Sequence, residues 1–153
     1  MQTFLPYPSF EKSAAVLDRQ RLGKQRLEVL NLLETLSGER PGWAHHPATK
    51  MWRGHEHALA EYGIAVCEEW IRRGYRDTTL PRIRTYLARF RDTGLPPWFG
   101  SRKFHFSHKS NLVRKLPEHY RRYFPKTPPD IPYFWPSEGR SFTPVDDSAP
   151  KRG

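Results

Sequence analysis

The chain has 153 residues, a formal net charge of +10 and a single cysteine, Cys67. A chain of this length can bury roughly 68–70% of its unfolded surface around one core, so one domain is expected. A lone cysteine excludes an intramolecular disulfide and a zinc site built from several cysteines, and no run approaches the roughly 18 apolar residues of a membrane span. We therefore expect a soluble, cytoplasmic, monomeric protein without a membrane partner.

Helical spacing of apolar residues predicts a mainly α fold without paired strands. The predicted helices, in chain order, cover residues 10–36 behind a Ser9 N-cap, 48–73 with a break at Gly54, 80–90, 108–115 behind a Ser107 cap, and 117–124. From Pro125 onward proline is frequent, which predicts an extended strap anchored by Tyr133, Phe134 and Trp135. We expect a single compact helical domain over residues 1–143 that ends in this proline-rich strap, followed by a disordered tail over 144–153.

The first predicted helix contains LDRQRLGKQRLEVLNLL, in which the residues between Asp18 and Glu34 include four cations and only one acid, Glu28. These cations are Arg19, Arg21, Lys24 and Arg26. On a wheel of about 100° per residue, Arg26 falls inside the apolar sector, where it must snorkel, pair or meet a ligand. Lys24 and Arg21 lie one and two turns from Glu28 and favour its ionised form. A plain surface ion pair between Lys24 and Glu28 is the alternative explanation.

Gly23 interrupts the same helix at a cost of roughly 1 kcal/mol relative to alanine. A glycine at this position permits close approach by another backbone. The apolar stretch FLPYP, at residues 4–8, lies just upstream and is the expected partner.

The run LDRQRLGKQRLE, a downstream His46-Pro47 pair and the later EEWIRRGY resemble the pyrimidine-dimer DNA glycosylases of the phage endonuclease V type, over roughly residues 1–125. The resemblance implies a compact helical domain that bends DNA, flips a base and cleaves the glycosidic bond with its N-terminal amine beside a helical glutamate. That glutamate matches Glu28. The family's histidine position is Arg21 here, and its arginine before the glutamate is Leu27, so that Arg26 is the nearest substitute.

The N-terminal amine implied by the resemblance is that of Met1, which we expect to be retained because Gln2 is bulky. Near neutral pH, a larger fraction of an α-amine than of a lysine side chain is unprotonated and nucleophilic. Attack at the sugar C1′ would give an imine, and Glu28 could then remove the 2′ proton in an abasic-site lyase step. No metal or other cofactor is needed.

Two histidine pairs could suggest a metal site, but His55 and His57 project about 200° apart on a helix and cannot close one site. We therefore expect no metal centre. His46 is placed near a phosphate or the flipped base, and capping of the next helix is the alternative.

A basic and aromatic segment follows in the second half of the chain. Residues 71–126 hold 15 Lys and Arg against three acids, a net of +12, which leaves −2 for the rest. Phosphate neutralisation is the usual use of such an excess. The expected DNA contacts in this segment are Arg102, Lys103, His108, Lys109, Ser110 and Arg114. Its aromatic residues Trp98, Phe99, Phe104 and Phe106 suit base stacking or a wedge, with a place in the core as the alternative.

Together these patterns predict a DNA glycosylase, with or without lyase activity, acting on a damaged or modified pyrimidine in double-stranded DNA. Arg21, Lys24 and Arg26 would orient the sugar-phosphate near Glu28. A non-catalytic DNA- or RNA-binding module, a nuclease for undamaged strands and a structural helical protein are the alternatives.

Overall fold

The N-terminal segment, residues 1–9, enters the centre of the molecule before the first helix begins. In the computed structural model, which describes residues 1–136, Phe4 and Leu5 are buried among the helices. Seven helices and no strand follow within this described range. They are α1 (Phe10–Val16), α2 (Arg19–Leu36), α3 (Pro47–Trp52), α4 (Glu56–Arg72), α5 (Leu80–Arg89), α6 (Arg102–Lys115) and α7 (Pro117–Tyr120). The predicted all-helical class is confirmed, while the domain boundary at 143 and the tail 144–153 lie outside the described residues.

Helix α4 is central because it packs against α1, α2 and α5. Gly63 lies where α4 meets α2 and α5, and a Cβ there would come within 2.6 Å of Val29 and 3.1 Å of Ile83. A larger residue would therefore push the helices apart. None of the described helices combines the length and apolar character needed to cross a bilayer.

The predicted continuous helix 10–36 is wrong at its middle, where Leu17 and Asp18 are extended and separate α1 from α2. Asp18 is the N-cap of α2, since its side chain accepts a hydrogen bond from the Arg21 backbone N–H. The Tyr120 hydroxyl lies 2.9 Å from the Asp18 backbone nitrogen and donates to its carboxylate. A residue 102 positions away thus stabilises the break.

The Gly54 break is observed, since α3 and α4 are separated there and Gly54 has a φ of +88°. The predicted Ser107 cap is wrong. Helix α6 begins six residues earlier than predicted, and its N-cap is Ser101, whose side chain accepts from the Phe104 N–H. Ser107 instead lies inside α6 and its hydroxyl donates to the Phe104 carbonyl.

Residues 125–136, which we call the strap, contain no helix or strand, as predicted. The strap lies along the surface of α6, and Phe134 and Trp135 pack against the core. Two aromatic residues offered as DNA contacts belong to the core instead, since Trp98 and Phe104 are buried. Phe106 remains 39% exposed.

Candidate active site

A cavity of about 550 Å³ opens beside the polar face of α2. This volume lies within the roughly 300–1,000 Å³ of ligand pockets. It is lined by Met1, Gln2, Phe4, Gln20, Arg21, Lys24, Gln25, Glu28 and Lys115. The start of the chain, one face of α2 and the end of α6 therefore meet at one site.

The N-terminal segment is held at this cavity by the side chain of Gln25. Its Oε1 accepts from the Phe4 N–H at 2.6 Å, and its Nε2 donates to the Gln2 carbonyl at 2.8 Å. The Tyr62 hydroxyl of α4 lies 2.7 Å from both the Phe4 carbonyl and Gln25 Oε1. Buried backbone groups require partners, so this network fixes the path of residues 2–4.

Helix α6 holds the next residue of the segment. His105 Nε2 accepts from the Gly100 N–H, so its proton is on Nδ1, which donates to the Leu5 carbonyl at 2.7 Å. His108 Nδ1 accepts from the Leu5 N–H at 2.8 Å. His108 is fully buried, so the structure places this expected DNA contact in the interior of the protein.

Glu28 lies close to the chain's own amine. The Gln25 Nε2 donates to its carboxylate at 3.1 Å, and the positive charges of the Met1 amine and Lys24 act on it. Burial raises the pKa of the Glu28 carboxyl, and these partners only partly offset the rise. Lys24 favours the ionised form of Glu28, as predicted, but removal of the carboxylate from water has the larger effect on its pKa.

Two of the expected cations line the cavity. Arg21 Nη1 pairs with Asp18 at 3.1 Å, which holds it at the start of α2, and Lys24 is exposed. Arg19 is exposed at the same helix end. Lys115 of α6 also lines the cavity and was not anticipated, because its distance of 87 residues from Glu28 left no signal in the sequence.

Arg26 does not line the cavity. Its guanidinium pairs with Asp77 at 2.5 Å and lies 4.5 Å from the centre of the Trp70 ring. Gly23 faces the same indole, since a Cβ there would come within 2.9 Å of two ring atoms. The expectation that Gly23 admits the N-terminal backbone is therefore wrong, and that backbone packs at Gln25 instead.

His46 caps α3, because its Nδ1 accepts from the Ala48 N–H at 3.0 Å. Its ring lies between Trp43 and Trp135, with centroid distances of 5.3 and 5.9 Å. Burial lowers its pKa, and the positive charge of the Met1 amine lowers it further. His46 is thus a capping residue within electrostatic reach of the N-terminus.

The expected DNA contacts of α6 divide into two groups. Arg102 and Lys103 are exposed, and Lys109 is half-buried over the Tyr7 ring. Ser110 and Arg114 instead donate to carbonyls of the strap, those of Pro128 and Pro129, at 2.5 Å each.

The localised positive charge is also divided. Arginines of α4 and α5 pair with glutamates, as in Arg73 with Glu69 at 2.8 Å and Arg82 with Glu34 at 2.6 Å. Within residues 1–136, the lysines and arginines of α6 form no ion pair with a carboxylate. In the same range, no three His, Cys, Asp or Glu side chains are grouped so as to hold a metal ion.

Comparison with known proteins gives one match. The family model for pyrimidine dimer DNA glycosylase matches residues 1–82, more than half of the chain. No curated protein and no solved structure matches. The matched residues supply the N-terminal segment, all of α2 with Glu28, and His46, whereas α6 and the strap lie beyond them. The chain belongs to the pyrimidine dimer DNA glycosylase family.

Proposed function

We propose that this protein excises a damaged or modified pyrimidine from double-stranded DNA, with the Met1 α-amine as nucleophile and Glu28 as its partner. One observation carries the proposal: Met1 and Glu28 line the same cavity, and the charge of the amine acts on the Glu28 carboxyl. The cavity lies at the protein surface, so the target nucleotide must leave the helical stack to reach it.

The first step joins the protein to the sugar. The unprotonated amine attacks C1′, the glycosidic bond breaks, and the base leaves with the bonding electron pair and takes up a proton. Positive charge develops on the sugar as the base departs. The carboxylate of Glu28 stabilises this charge best in a partly dehydrated site.

The second step is the lyase reaction. The ammonium formed on attack loses one proton, the C1′–O4′ bond breaks with protonation of O4′, and a protonated imine forms. Glu28 then removes a proton from C2′, and the electron pair expels the 3′ phosphate. Its raised pKa makes this carboxylate a stronger base than an exposed glutamate.

The DNA contacts that we propose are cations around the cavity and along α6. Lys24 and Lys115 lie on the cavity itself, with Arg19 and Arg21 at the start of α2. Arg102, Lys103 and Lys109 would continue the track on α6. His46, near the amine, would face the substrate through the edge of its ring that does not cap α3.

The test uses duplexes that each contain one lesion, among them a cyclobutane pyrimidine dimer and an oxidised pyrimidine. We expect base release from at least one duplex, and Glu28→Gln should slow this release by about 10²–10⁴-fold. Glu11→Gln is the matched control, because Glu11 is exposed on α1 and does not line the cavity. Equal rates for both variants would contradict the role of Glu28.

The nucleophile is tested separately by borohydride reduction of the protein on abasic DNA. Intact mass first establishes that Met1 is retained, and peptide mapping should then place the cross-link on the Met1 amine. A cross-link on a lysine would overturn the assignment. Tight DNA binding without base release from any duplex would favour a non-catalytic DNA-binding module.

A further inference from the structure

We propose that the strap is part of the active site, with Tyr133 as a positioning residue that holds the Met1 amine in register with Glu28. This inference rests on the proposed function. The strap lies outside the residues matched by the family model, which end at 82.

The N-terminal backbone is held from two sides. The carbonyls of Gln2 and Phe4 face Gln25 and Tyr62, on α2 and α4. The carbonyl of Thr3 faces the other way and accepts a hydrogen bond of 2.7 Å from the Tyr133 hydroxyl. Thr3 is two residues from the amine, so this bond fixes the direction in which Met1 leaves the core.

The strap is itself fixed to α6. The Ser107 hydroxyl accepts from the Phe134 N–H at 3.1 Å, and the Ser110 hydroxyl accepts from the Ile131 N–H at 2.9 Å. Ser110 also donates to the Pro128 carbonyl. These bonds flank Tyr133 on both sides and hold its backbone against the helix.

The Tyr133 ring completes the link. It stacks on His108, with centroids 4.3 Å apart and planes inclined by 27°, and His108 holds the Leu5 N–H. Trp135 lies 4.2 Å from Tyr133 and reaches His46 at the start of α3. Burial raises the pKa of the Tyr133 phenol and the charge of Glu28 raises it further, so the hydroxyl stays protonated and able to donate.

The experiment compares Tyr133→Phe with Tyr75→Phe. Tyr75 is 37% exposed and packs on Trp70, so the control removes the same hydroxyl from another face of the protein. Displacement of a reacting group by about 1 Å can cost roughly 10²-fold. We expect Tyr133→Phe to slow single-turnover base release by about 10–100-fold, with affinity for lesion DNA changed by less than about twofold. A loss of affinity with an unchanged single-turnover rate would overturn the positioning role.

A second readout does not depend on catalysis. In the DNA-free protein, Tyr133→Phe should speed amide hydrogen exchange at Phe4 and Leu5 by about tenfold or more, whereas Tyr75→Phe should not. If the proposed chemistry fails, the parent protein releases no base and forms no trapped complex, but the exchange data still test the clamp. Unchanged exchange, or faster exchange with a parental rate of base release, would overturn the inference.

Ser110→Ala provides an independent route should Tyr133→Phe fold poorly. It weakens the attachment of the strap to α6 while keeping the Tyr133 side chain, because the Ser110 hydroxyl makes two of the strap's hydrogen bonds. We expect the same slower base release and faster exchange. Parental values for both would contradict a rigid strap that positions the amine.

Discussion

Gln25 and Glu28 are joined by a hydrogen bond of 3.1 Å, and the same amide nitrogen of Gln25 donates to the Gln2 carbonyl at 2.8 Å. One side chain therefore contacts both the backbone next to the proposed nucleophile and the proposed catalytic carboxylate. Because these residues are three apart on α2, the helix sets their separation rigidly. The Gln25 amide therefore helps to set the distance between amine and carboxylate.

Replacement of Gln25 by leucine should affect both stability and base release. The substitution leaves the Phe4 N–H without its acceptor and the Gln2 carbonyl without its donor. Each such group costs about 1–3 kcal/mol, so we expect unfolding to require about 2–4 kcal/mol less. Urea denaturation measures this change. Gln20→Leu is the control, because Gln20 is exposed, and equal loss in both variants would contradict the network.

The raised pKa of Glu28 predicts a pH-dependent gain in stability for Glu28→Gln. The folded state keeps the carboxyl proton at pH values where the unfolded chain has already lost it. As pH rises through the window above the ordinary value of 4.5, Glu28 therefore makes folding progressively less favourable. Glutamine does not titrate. In urea denaturation, the unfolding free energy of Glu28→Gln minus that of the parent should be larger at pH 6.5 than at pH 4. The opposite trend would refute the raised pKa.

Arg26 and Lys24 should give opposite phenotypes although they are two residues apart. Arg26→Met removes the partner of Asp77, whose carboxylate keeps its bonds from Thr79 and Leu80. We expect a loss of about 2–4 kcal/mol in unfolding free energy and little change in the salt dependence of DNA binding. A large change in that dependence would place Arg26 on the DNA.

Lys24→Met and Lys115→Met should leave stability within about 0.5 kcal/mol, because both side chains are exposed. Each should make the slope of log affinity against log salt shallower by about 0.9, since each removes one phosphate contact. Titrations of duplex DNA at several salt concentrations measure the slope. An unchanged slope for both variants would move the DNA track away from the cavity.

His108 should make the protein sensitive to mild acid. Burial lowers its pKa well below 6.5, and the charge of nearby His105 lowers it further. The Tyr133 and Phe104 rings also face it, and its Nδ1 accepts from the Leu5 N–H, so a proton on that nitrogen would break this hydrogen bond. As pH falls below 6.5, His108 is protonated in the unfolded chain while it stays neutral in the folded protein. The stability that neutral His108 contributes above pH 6.5 is therefore lost as pH falls.

The substitution His108→Asn keeps a carbonyl acceptor for Leu5 but removes the titration. The parent should lose stability as pH falls from 7 to 5, and this loss should be smaller in His108→Asn. Some loss should remain in the variant, because the pKa values of His46 and His55 are also lowered. The exposed His45→Asn should follow the parent. A parental loss in His108→Asn would show that its protonation does not control the N-terminal segment.

The sequence by itself determined the helical class, most helix positions and the stripe of α2 that faces the cavity. Periodicity is a local property, so Arg21, Lys24 and Glu28 share a face wherever the helix packs. The same local reasoning was wrong at Leu17 and Asp18, where a hydroxyl from α7 fixes the break. Gln25 could have been recognised as a polar residue inside the apolar sector of α2.

Only the tertiary structure decided which side chains meet. Asp77 pairs with Arg26, 51 residues away in the sequence, and Tyr133 donates a hydrogen bond to the Thr3 carbonyl, 130 residues away. The tertiary fold also decided the net direction of the Glu28 pKa shift, because the attraction of its neighbours can be inferred from helical spacing whereas its loss of water cannot. Desolvation and long-range hydrogen bonds depend on how separate parts of the chain pack, and helical spacing carries no information about that packing.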